Sequence, residues 1–167
     1  MPTNDGVPAS VRARETQQMP SSDITQTEAD ALMALEKVRT GDEVCYYLFQ
    51  GESVRVPLAS SDGREQFTLD VSRGHIEMLR VKHQTRARQV IILVRLDLGG
   101  PPHHNPDGQE VACPHLHVYR EGYGDKWAVA VPPDRFPDVG DLWQTLHDFM
   151  SYCNVTRPPL FQKRLFV

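Results

Sequence analysis

The segment Cys113-Pro114-His115-Leu116-His117-Val118-Tyr119 sets His115, His117 and Tyr119 in alternation with Leu116 and Val118. In an extended strand successive side chains point to opposite faces, so one face would carry two imidazoles and a phenol. Imidazole titrates near neutrality, and a pair of them can act as general acid and general base. Phosphodiester cleavage without a metal needs such a pair and cations that offset charge developing on phosphorus. Arg95 can fill that role, with Lys126 as a further cation from the facing strand. The candidate catalytic set is therefore His115, His117, Arg95, Tyr119 and Lys126. The plainer reading is a sheet face whose histidines bond to backbone and carboxylates, and spacing does not separate the two.

Cations crowd the preceding stretch. Arg73, Arg80, Lys82, Arg86, Arg88 and Arg95 share it with Glu77 as the one opposing acid. In a strand Arg80, Lys82, Arg86 and Arg88 have the same parity and form a row suited to a phosphate backbone, unless Arg86 and Arg88 lie in a turn. A solvated face whose guanidiniums pair with carboxylates from elsewhere explains the row equally well.

Between these features runs Leu98-Gly99-Gly100-Pro101-Pro102-His103-His104-Asn105-Pro106-Asp107-Gly108. Its glycines and prolines predict a shaped loop, mounted on a stiff strand and presenting His103, His104 and Asn105. His-x-His, Cys113 and the loop histidines include ligand types that zinc accepts. No spacing matches an established zinc module, so no metal or other cofactor is expected. A nucleophile elbow, a phosphate-binding glycine loop and a dinucleotide fingerprint are all missing.

The elements that must position these residues follow from periodicity. Residues 1–23 are rich in Pro, Ser, Thr, Asn and Gln and predict a disordered tail, leaving residues 24–167 as a single domain. Thr25 and Glu28 form a capping box for a first helix that lays Ala31, Leu32, Leu35 and Val38 on a sheet and stops at Gly41. Strands are predicted at Val44 to Phe49, Ser53 to Leu58, Glu65 to Val71 and His75 to Thr85. The apolar run Val90 to Leu98 predicts a central strand covered on both faces. A hairpin, Pro114 to Arg120 with Lys126 to Val131, follows, with Trp127 and Trp143 expected in the core. Asp138 caps a last helix with Leu142, Leu146, Phe149 and Met150 on one face, ending at Asn154 or at Pro158-Pro159. The expected fold class is α+β, a mainly antiparallel sheet of about seven strands flanked by an N-terminal and a C-terminal helix.

Composition narrows the setting. With 167 residues and a formal charge of -4, the chain fits one domain, and any nucleic-acid site must be a local patch. Three separated cysteines suit a reducing cytoplasm; no apolar run approaches the length of a membrane span and the first residues lack the basic-then-apolar pattern of a signal peptide, so neither is expected.

The block from Val94 to Gly108, with Pro114-His115-Leu116-His117-Val118-Tyr119-Arg120-Glu121-Gly122-Tyr123-Gly124-Asp125-Lys126-Trp127-Ala128, resembles an uncharacterised bacterial family, domain of unknown function 6978. The resemblance runs from the first helix to about Cys153 and implies a bacterial or phage origin without an activity. At the level of architecture the chain is also similar to RelE-like endoribonuclease toxins, which cleave RNA with Arg, Lys, His and Tyr; it departs from them in length, acidity and an extra pair of strands. The expectation is a metal-independent nucleic-acid-processing protein, a toxin-type endoribonuclease, with RNA as substrate and an antitoxin or host protein as partner. The alternatives are a non-catalytic interaction module of phage or mobile-element origin, and a zinc-binding domain.

Overall fold

The computed structural model describes residues 23–75 and 80–164. The expected tail lies outside the described residues except for Asp23, as does part of the fourth expected strand. In chain order the elements are α1 (Gln26–Ala34), β1 (Lys37–Arg39), β2 (Val44–Tyr46), β3 (Ser53–Ser60), β4 (Gln66–Arg73), β5 (Val81–Ala87) and β6 (Ile91–Leu98). There follow β7 (His103–His104), β8 (Glu110–Val111), β9 (His115–Val118), β10 (Ala128–Ala130), α2 (Leu142–Tyr152), β11 (Val155–Arg157) and β12 (Leu160–Gln162).

Eight strands form the main sheet in the order β10-β9-β6-β5-β4-β3-β1-β11. Every pairing in it is antiparallel except β1 with β11. The α+β class with helices at both ends of the domain holds. The extra strands are short: β2 with β12 and β7 with β8 make two-stranded ribbons.

Alternation decides which face is buried. Phe67, Leu69 and Val71 of β4 register against Ala87, Thr85 and His83 of β5, and all six are buried. Both helices share a cavity wall with Thr85 and Val94, so both lie over this face. From α2, Leu146, Phe149 and Met150 enter the core as expected, with Thr145. Asp141, not Asp138, caps that helix: its carboxylate accepts from the backbone N–H of Trp143 at 3.0 Å and of Gln144 at 3.1 Å. Asn154, left-handed at φ 57°, follows its end.

Helix α1 ends earlier than expected, at Ala34, and buries Ala29 and Leu32. Its Thr25 cap forms, accepting from the Glu28 N–H at 3.2 Å. The Lys37 ammonium stops the helix by donating to the carbonyls of Met33 at 3.0 Å and Leu35 at 2.9 Å. Val38, expected on the helix, is in β1.

The apolar run of β6 has a different cause from coverage on two sides. Thr85 pairs with Val94 and Arg86 with Ile92, so Leu93 is an extra residue at a bulge. The bulge turns both Leu93 and Val94 inward, and beyond it the outer face carries Arg95 and Asp97. Trp127 and Trp143 are half-buried instead of central. Trp127 leads into the edge strand β10, where the Arg120 guanidinium stacks 3.8 Å from its ring centroid, while Trp143 packs edge-on against Tyr47.

Candidate metal centre on the outer face of the sheet

Cross-strand register builds the site. Asp97 of β6 stands opposite His115 of β9, and Arg95 stands opposite His117. On the other side of β6, Lys82 faces Asp97 and Gln84 faces Arg95. Two rows thus cross the outer face, Lys82-Asp97-His115 and Gln84-Arg95-His117, away from the helices. Directly opposed side chains on one face are near neighbours, so these contacts follow from pairing alone.

A third imidazole arrives from the loop. Asn105 is buried and exchanges two hydrogen bonds with Ala128 of β10: its amide donates to the Ala128 carbonyl at 2.9 Å, and its oxygen accepts from the Ala128 N–H at 2.8 Å. That clamp folds the segment after Gly100 over β9 and lays His103 beside the His-x-His pair. Ring centroids are 4.6 Å apart for His103 and His117, 5.0 Å for His115 and His117, and 5.6 Å for His103 and His115. One ring nitrogen from each of the three lies within 4.8 Å of the others.

Hydrogen bonds settle which nitrogens carry protons. His117 Nδ1 is 2.8 Å from the Asp125 carbonyl, which only accepts, so Nδ1 carries the hydrogen. Its Nε2 receives a hydrogen bond from Arg95 Nη2 at 2.8 Å and therefore presents a lone pair. His103 Nε2 donates to the Lys126 carbonyl at 2.9 Å, which leaves Nδ1 for a ligand in the neutral ring. Metal-binding histidines commonly anchor their second nitrogen on a backbone carbonyl in this way. Burial, together with the neighbouring His117, lowers the pKa of His115, so its ring is neutral at pH 7.

Asp97 completes the cluster. Its Oδ2 lies 3.4 Å from His117 Nε2 and 3.6 Å from His115 Nε2. Burial opposes its ionisation, but the positive charges of Arg95 and Lys82 beside it help outweigh burial and hold the carboxyl at about 2. Its Oδ1 is buried without a hydrogen-bond partner among the described residues. Arg95 lies between two carboxylates, donating to Asp97 at 3.2 Å and to Asp125. A cavity of about 230 Å³ opens on this cluster, bounded by Asp97, His103 and His115 on one side and by Arg80 and Lys82 on the other.

The other expected site residues lie elsewhere. The Tyr119 hydroxyl is buried at the start of the domain, donating to the Ile24 carbonyl at 2.8 Å and accepting from its N–H at 2.9 Å. Lys126 is exposed and brings its carbonyl to His103, and it also lines a separate cavity near Tyr123. His104 is exposed beside Glu110 at 3.1 Å. The basic row divides. Arg86 grips Asp70 with two hydrogen bonds, at 2.6 and 2.9 Å, and Arg88, in a turn at φ 49°, binds Glu65 and Glu28. Arg80 and Lys82 instead face the histidine cavity. Asp97 and Asp125, absent from the sequence-derived set, are the carboxylates that organise the centre; the even spacing of Arg95 and Asp97 on one strand face was the available signal for the first.

Fold and site together define an α+β protein with a mainly antiparallel eight-stranded main sheet, helices on one face of it and a three-histidine cluster on the other. The chain belongs to the family described as a family of unknown function, DUF6978, whose model matches residues 24–155. No curated protein and no solved structure matches it, and no structural neighbour supports the expected likeness to RelE-like toxins. Among the described residues no helix is long and apolar enough to cross a membrane.

Proposed function

We propose that this domain holds a divalent transition metal of the zinc class through His103, His115 and His117, with Asp97 within reach as a fourth ligand or as a partner of bound water. The single observation that carries the reading is the convergence of three ring nitrogens within 4.8 Å, in a cluster where two of the rings also bond to backbone carbonyls. Imidazole ligands with an open position are the arrangement of catalytic rather than structural zinc. The sheet has its own buried core on the other face, so a structural metal is not required for folding. A metal here would polarise an oxygen of a substrate in the adjoining cavity and lower the pKa of bound water, which supports hydrolytic chemistry.

The metal-independent nuclease reading uses the same imidazoles. It draws support from the 5.0 Å approach of His115 and His117 and from the opening of the cavity on His115. One experiment separates the two. Full-length protein is stripped with a chelator, divided, and reloaded with zinc or left bare, and both halves are incubated with single-stranded RNA and with small phosphoesters. Hydrolysis by the zinc-loaded half alone is the expected result. Equal cleavage of RNA by both halves, abolished by His117→Ala, would overturn the metal reading in favour of the acid–base pair.

A further inference from the structure

We propose that the cavity between the two helices, on the opposite side of the sheet from the histidines, binds a small monocarboxylate with a short apolar chain. Three local departures from regular structure open it. The bulge in β6 turns Leu93 and Val94 to this side together and makes them its floor. Lys37 ends α1 at Ala34, so the helix does not extend over the space. Asn154, left-handed after the end of α2, donates from its side chain to the Ala34 carbonyl at 2.7 Å and ties the two helix ends together beside the cavity. The volume is about 430 Å³, inside the range of about 300–1,000 Å³ usual for small-molecule sites.

Charge and surface select the ligand class. The ionisable groups of the lining are Asp30, Lys37, Arg135, Tyr152 and Cys153. Burial raises the Tyr152 phenol, and pushes the Cys153 thiol up to about 12, so both are neutral at pH 7. Lys37, lowered by burial to about 8, is still mostly protonated there. Neither cation makes an ion pair among the described residues: Lys37 donates to two carbonyls and lies over the Phe67 ring, and Arg135 lies over the Tyr152 ring. Asp30 accepts from Gln26 of its own helix at 2.8 Å. Two cations and one carboxylate leave the lining with one positive charge, which a monoanion complements. The carbonyls of Met33, Ala34 and Leu35 are already taken by Lys37 and Asn154, which offsets the negative end of the α1 dipole. Arg135 is exposed at the mouth, where a planar guanidinium can hold a carboxylate through two N–H groups, while Met33, Leu93 and Val94 offer apolar surface to the chain.

The test uses full-length protein stripped with a chelator, so that no metal competes for the carboxylate. Calorimetric titrations with octanoate and with octylamine compare the two head groups on one chain length. One octanoate per protein is expected, with octylamine weaker by about tenfold or more. Arg135→Glu reverses the charge at the mouth and should weaken octanoate by about tenfold or more. Leu93→Trp fills the floor and should abolish binding in protein whose circular dichroism matches wild type. If that core variant does not fold, Arg135→Glu, at an exposed position, decides alone. Octanoate that does not bind, octylamine that binds as tightly as octanoate, or octanoate affinity unchanged in either folded variant overturns the proposal.

Discussion

Arg95 donates through Nη2 to His117 Nε2 at 2.8 Å, and the same guanidinium holds Asp97 and Asp125. The arginine thus occupies the lone pair that a metal on His117 would use. Binding through that nitrogen requires Arg95 to leave His117 while it keeps its two carboxylates.

Removing this internal competitor should strengthen metal binding. Arg95→Gln takes away a positive charge beside the three imidazoles and leaves Asp97 more available, so zinc affinity should rise by about tenfold or more. Competition against a chromophoric chelator measures it. Weaker zinc binding in the variant would mean that Arg95 supports the ligands and does not contend for them.

Asn105 is the clamp that brings His103 to the pair. Asn105→Ala breaks both bonds to Ala128 and leaves buried peptide groups unpaired, at a cost of about 1–3 kcal/mol. Zinc affinity should fall about 10- to 100-fold, the range seen when groups that orient metal ligands are lost. Urea unfolding and zinc titration read the two effects, and unchanged values in both would remove the loop from the site.

His83 sets the acid stability of the core. It is wholly buried against Phe149, neither ring nitrogen has a hydrogen-bond partner among the described residues, and burial lowers its pKa to about 3. The unfolded chain takes up this proton near pH 6.5 and the folded chain near pH 3. His83 is therefore neutral in both states above 6.5, and stability falls as pH drops below it, by up to about 1.4 kcal/mol per pH unit. His83→Leu should flatten the stability profile between pH 6 and 4 relative to wild type (a window of about two units inside that range). Parallel profiles for the two proteins would contradict the assignment.

Arg88 joins Glu28 of α1 to Glu65 beside β4. About two fifths of its side chain is exposed, so the network is screened, and Arg88→Gln should cost about 0.5–1 kcal/mol, less in high salt. Affinity for single-stranded RNA should not change. A marked loss of RNA binding with unchanged stability would restore Arg88 to a nucleic-acid face.

Periodicity in the sequence located most of the sheet and the last helix, because Phe67, Leu69 and Val71 on a strand and Leu146, Phe149 and Met150 on a helix leave a clear period. The same alternation put His115 and His117 on one face correctly. Long-range pairing left no such trace. Spacing left open whether Arg86 and Arg88 form a phosphate-binding row or pair with carboxylates, because Asp70, Glu65 and Glu28 reach them only after folding. His103 could be assigned to a shaped loop, but its approach to His117 depends on the Asn105 clamp on Ala128, whose partners are 23 positions apart. The early stop of α1 was hidden for a similar reason, since the residue that ends it, Lys37, reads as a surface cation and is buried.

Zinc-edge X-ray absorption on the reloaded full-length protein tests the metal centre most directly. The account predicts one zinc per chain with imidazole nitrogens at about 2.0–2.1 Å, reduced in number by His103→Ala and lost with His115→Ala/His117→Ala. No stoichiometric zinc, or a first shell of oxygen and sulfur without imidazole, would contradict it.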